Sequence, residues 1–183
     1  MNHAQFTVIN NVAKAAPAPF KGRLHVSLDY ENGSIHIITT SHDAPIIDWR
    51  IDQAVNYIVS ENDPDKKNYM QVIAAFKTFD ELREFLVNAF INLVNDKCER
   101  FYFNFAYSLN GKKKNPYARY RDIFCRVTVP SGPDAAKVAL EKFSTKFKRN
   151  EWGFQYTQAE FDTFPSLPWW KGTEKVVDFE DLR

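Results

Sequence analysis

"YMQVIAAFKTFDELREFLVNAFINLVNDKCERFYFNFAYS", residues 69–108, decides how the rest of the chain is read. Its first eight residues are mostly apolar and read as a strand. From Thr78 the pattern changes. Leu82, Phe85, Leu86, Ala89, Phe90, Leu93 and Val94 recur at intervals of three and four, which is one wide apolar stripe along a helix. Thr78 and Glu81 stand in capping-box spacing, so hydroxyl and carboxylate can each satisfy a free backbone N–H at the helix start. After Cys98 the period becomes two, with Phe101, Phe103, Phe105 and Tyr107 on one face of a second strand.

Toward the C-terminus, "YRDIFCRVTV" (120–129) alternates Ile123, Cys125, Val127 and Val129 inward as a third strand. "SGPDAAKVALEKFSTKFKRN" (131–150) opens with Pro133 just inside a Ser131 or Gly132 cap. Ala136, Leu140, Phe143 and Phe147 then mark an amphipathic helix over 133–149, and "WGFQYTQ" (152–158) closes as a strand. The order β-α-β-β-α-β predicts an α+β fold, a ferredoxin-like βαββαβ sandwich over residues 69–158. The remainder, 159–183, reads as an irregular tail with "PWWKG" and an acidic, aromatic end.

Toward the N-terminus, "ENDPDKKN" (61–68) breaks the pattern and sets off an N-terminal unit, 1–62. In it "QFTVINNVA" (5–13) reads as a strand and "DWRIDQAVNYIVSE" (48–61) as a helix, from Ile51, Val55 and Ile58. Between them "RLHVSLDYENGSIHIITTS" (23–41) predicts a β-hairpin turning on Asn32-Gly33, with Asp29 opposite His36 and Ser27 opposite Ile38. Its apolar face needs a partner. The outer face of the main sheet (Tyr69, Gln71, Ile73, Tyr102, Asn104, Phe124, Arg126) is the surface expected to receive it.

Charge is where the sequence speaks of function. The chain carries +1 overall, but residues 101–150 hold 11 Lys/Arg against 3 Asp/Glu. That is +8 against −7 for the rest, a basic working surface on an acidic body. In the expected topology the 109–121 loop and the C-terminus of the 133–149 helix share one end. Lys112, Lys113, Lys114, Arg119 and Arg121 then join Lys146, Lys148 and Arg149, with Tyr117 and Tyr120 interleaved to stack on bases. The expected function is non-enzymatic, sequence-nonspecific binding of DNA or RNA. The alternative is a protein-binding adaptor or inhibitor, of the kind bacteria and mobile elements encode, docking through charged surfaces and through Trp169 and Trp170.

Catalytic residue types gather only at His25, Ser27, Asp29 and His36, on the flat outer face of the hairpin, so a hydrolase is the weaker reading. There is no glycine-rich phosphate loop, HExxH, Rossmann fingerprint or calcium loop, and no cofactor or metal is expected. Two isolated cysteines, Cys98 and Cys125, fit a reducing compartment. No apolar run approaches a membrane span and the N-terminus has no signal-peptide pattern, so a cytoplasmic protein without membrane contact is expected.

Overall fold

The structure, a computed structural model, describes residues 1–62, 70–105, 120, 122–148 and 152–182. It is an α+β protein with two sheets and, among the described residues, four α-helices. The chain divides into two compact units, Met1–Lys97 and Cys98–Arg183. That division falls beyond the second helix, whereas the sequence reading placed it in 63–68.

The first unit opens with α1 (His3–Lys14), where a strand was expected over 5–13. The helix wins because Asn2 and Gln5 form a capping box: each side chain accepts the other's backbone N–H, at 2.9 and 3.0 Å. Ile9 and Ala13, four apart, are then buried together. An antiparallel meander follows, β1 (Leu24–Asp29), β2 (Ser34–Thr39), β3 (Asp48–Gln53), β4 (Tyr57–Asn62) and β5 (Met70–Phe76), in that spatial order.

The β1–β2 hairpin forms in a register two residues from the expected one, with Asp29 opposite Ser34 and Ser27 opposite His36. The cause is local. The Asp29 carboxylate accepts the N–H groups of Glu31 and Asn32 and the Asn32 amide, which widens the turn to residues 30–33. An even shift leaves each side chain on its expected face, and Ile35 and Ile37 are fully buried.

The helix expected over 48–61 is the β3–β4 hairpin. Val55 sits at its tip, 96% exposed, so the apolar spacing that suggested a helix includes a residue no core receives. Alternation instead buries Trp49, Ile51 and Val59, and Trp49 stacks on Phe90 with ring centres 5.7 Å apart. Because β4 is a strand, β5 pairs antiparallel with it. The βαββαβ elements of 69–158 therefore do not close into one sheet. A partner near in sequence costs less loop-closure entropy than a distant one.

Next comes α2 (Phe79–Lys97), which buries Leu82, Leu86, Phe90 and Val94 as its stripe requires. Glu81 N–H donates to Thr78 Oγ1 at 3.2 Å, and Thr78 N–H to Glu81 Oε2 at 3.0 Å, completing the expected capping box. Replacing Thr78 by alanine is expected to lower stability by about 1 kcal/mol in urea unfolding, with an unchanged denaturant slope.

The second unit has sheet order β8-β6-β7-β9, built from β6 (Cys98–Phe105), β7 (Ile123–Pro130), β8 (Trp152–Thr157) and β9 (Lys175–Asp178). One face carries Phe101, Phe103, Phe105, Cys125, Val127 and Val129, as read from the sequence, and packs on α3 (Ala135–Ser144). The helix is shorter than expected, and it buries Ala135 and Ala139 rather than Ala136. The other face, with Tyr102 and Phe124, is covered from within the unit by α4 (Gln158–Asp162), the 3₁₀ turn Phe164–Ser166 and Trp170. Tyr102 stacks flat on Phe161 at 4.0 Å. Residues 159–183 are thus not an irregular tail. They supply a helix, the cover of a sheet face and the strand β9, which lies parallel to β7. Among the described residues no helix is long and apolar enough to cross a membrane.

Candidate nucleic-acid interface

The described residues on either side of the basic segments are those of β6, β7 and α3 with their immediate neighbours. β6 runs toward the loop and ends at Phe105. β7 runs back, and α3 returns toward the end where the loop begins. Phe105, Tyr120 and Phe147 meet there: Phe105 lies 4.9 Å from Tyr120 and 5.0 Å from Phe147, with Tyr120 and Phe147 6.1 Å apart and edge-on. All three are buried, and Phe143 stacks beneath Phe147 at 4.8 Å. An aromatic knot therefore joins Phe105 and Tyr120 to Phe147 in the chain leaving α3.

Lys112, Lys113, Lys114, Tyr117, Arg119, Arg121 and Arg149 lie outside the described residues. Tyr120 is 6% exposed, and its ring belongs to the knot, so it is an anchor and not the base-stacking group expected. Lys148 is exposed beside Phe147. Lys146 is committed elsewhere. Its ammonium donates to the carbonyls of Phe179 and Leu182 at 2.9 and 3.1 Å and lies 4.3 Å from the Phe179 ring centre.

The acidic C-terminal end folds onto this unit through charge pairs that no sequence pattern announces. Lys142, on α3, is buried. It pairs with Glu180 at 2.8 Å and donates to the Thr128 carbonyl at 3.1 Å. Arg126 on β7 holds Asp178 on β9 with two hydrogen bonds, at 2.6 and 2.9 Å. The bond to Asp178, outweighing burial, raises the affinity of this guanidinium for its proton. One signal was available and missed: Thr157 and Glu160 form a capping box that starts α4, in the spacing that reveals α2.

Trp169 and Trp170 part company. Trp170 packs against Phe124, Phe161 and Phe164. Trp169 touches Phe164 at 5.1 Å but remains 52% exposed.

The hydrolase residues lie on the outer face of the first unit's sheet. Asp29 is held by its own turn, with the Asn32 amide the main cause of its lowered proton affinity. His36 Nε2 lies 3.3 Å from Ser34 Oγ, and it is opposite Ser27, not Asp29. His25 pairs across with Ile38. Among the described residues, no three His, Cys, Asp or Glu side chains gather closely enough to hold a metal ion.

Both cysteines are buried, and burial pushes their thiols up, Cys98 to about 11 and Cys125 further. At pH ~8.5 both are expected to resist iodoacetamide in the folded protein and to react at once in guanidinium. Since the unfolded thiols ionise first, their contribution to stability is lost as pH rises above the ordinary thiol range.

Comparison with protein-family models, with curated proteins and with solved structures finds no match for this chain.

Proposed function

We propose that the second unit binds nucleic acid, DNA or RNA without sequence preference, through a basic end composed of the 109–121 and 146–149 segments. The observation that supports the reading is the aromatic knot, since Phe105, Tyr120 and Phe147 bring the flanks of both segments to one place. Those segments hold eight Lys/Arg and no Asp/Glu. Such a concentration attracts phosphates and releases their counterions. Lys146 steadies the C-terminal end and is not counted among the phosphate-facing groups. The test is fluorescence anisotropy with a labelled oligonucleotide. Affinity is expected to fall about a thousandfold between about 50 and about 200 mM salt. Absent binding at the lower salt, or equal affinity at both, contradicts the reading.

Trp169 favours a second reading, a protein-binding adaptor or inhibitor. A half-exposed tryptophan at the edge of an aromatic cluster is a hot-spot type of side chain. Deleting the C-terminal segment would not test this, because the segment is part of the fold. Trp169→Ala alone should abolish a stoichiometric protein complex that survives nuclease, and an unaffected complex rejects it.

A further inference from the structure

From the edge strand β8 we infer that the ligand of the basic end is single-stranded, with Phe154 as a base-stacking residue. This rests on the nucleic-acid reading above. The β6–β8 ladder is irregular at one place. Phe103 pairs with Gln155 and Phe105 with Trp152, so β8 spends one more residue than β6 over that step. An extra residue of this kind bends the strand and re-aims a side chain, and such bulges concentrate at sheet edges and beside functional sites. Here the re-aimed residue is Phe154, 66% exposed.

The bulge is fixed by a specific device. The Asn104 side-chain oxygen accepts the Phe154 N–H at 2.7 Å. It can lie there because residue 153 is glycine: a Cβ at that position would come within 2.6 Å of the same oxygen. The Asn104 amide also reaches the Tyr156 hydroxyl, at 3.5 Å. The Phe154 and Tyr156 rings are neighbours, with centres 6.1 Å apart, and Tyr156 is half-buried. Phe154 therefore stands out from a supported aromatic step instead of swinging freely.

Its position selects the partner. Asn104 and Phe105 are the last residues of β6 before the basic loop, and Trp152 follows the 146–149 segment. Phe154 is thus exposed on the strand that pairs with the last residues of β6 before the basic loop, an aromatic face for bases close along the chain to the cations proposed for phosphates. Paired bases offer no face to such a ring, whereas unpaired ones do.

The experiment compares the parent protein, Phe154→Ala and Phe154→Trp with a single strand and with a duplex of the same length. Phe154→Ala should lose roughly tenfold to a hundredfold in affinity for the single strand and nothing for the duplex. Phe154→Trp should keep the affinity, and its added fluorescence should be quenched by the single strand but not by the duplex. If Phe154→Ala binds single strands like the parent, the inference is overturned while the basic end stands. If the parent binds neither strand form, both fail.

Discussion

Replacing Glu180 by alanine is expected to destabilise the second unit by about 3–5 kcal/mol, because it strands a buried ammonium. The Lys142 and Glu180 side chains are 7% and 10% exposed, so neither charge can turn to bulk water when its partner is removed. The Thr128 carbonyl remains bound to Lys142, but a neutral acceptor does not replace a carboxylate. Loss of the pair also loosens the closure of the chain end, where Phe179 and Leu182 complete the core and lend their carbonyls to Lys146. Replacing both partners, Lys142→Met with Glu180→Leu, should restore most of the stability, since two apolar groups of similar volume carry no desolvation cost. Urea unfolding of the two single variants and the double checks this. Strict additivity, or a Glu180→Ala loss below about 0.5 kcal/mol, shows the pair to be hydrated and inconsequential.

Replacing Lys112, Lys113 and Lys114 together by glutamine should lower nucleic-acid affinity by about ten- to a hundredfold at moderate salt. It should also reduce the magnitude of the salt slope by about 2 for a single strand, at roughly 0.7 for each phosphate no longer neutralised. Urea unfolding of the variant is expected to match that of the parent. Glutamine is preferred to glutamate here because it removes attraction without adding repulsion, so the slope then reports the missing cations alone. A variant that binds more weakly with an unaltered slope would place its effect elsewhere than on phosphates.

How legible was all this in the sequence? The second unit's inner face was read almost residue by residue, because Phe101, Phe103, Phe105, Cys125, Val127 and Val129 alternate strictly and strands enforce that period. The long helix was equally plain, since seven apolar residues and a capping box agree. The errors came where two periods fit the same letters. Residues 48–61 place apolar groups at spacings that suit a helix or a pair of strands. Only burial distinguishes Trp49, Ile51 and Val59, inside, from Val55, at an exposed tip. Residues 5–13 are β-prone by composition, and the Asn2–Gln5 box that overrides this was overlooked, as was Thr157–Glu160. Those two slips are instructive, because a box of four residues outweighs the propensities of several. The ferredoxin-like arrangement failed through the first error. Once 57–62 is a strand, the next strand has a nearer partner. For the candidate site, Tyr120, expected to stack on bases, is buried against Phe105 and Phe147. The Lys142–Glu180 pair and the bulge at Phe154 depend on the meeting of distant segments, which no local pattern encodes.

The central claim is that two basic segments, some thirty residues apart, act as one surface. Amine-acylation footprinting by mass spectrometry, with and without a short single-stranded oligonucleotide, tests it most directly. The account predicts joint protection of Lys112, Lys113, Lys114 and Lys148 at one equivalent of ligand, while the exposed Lys14, Lys77 and Lys97 of the first unit remain as reactive as before. Protection of one segment without the other, or of neither while the ligand is bound, would contradict it.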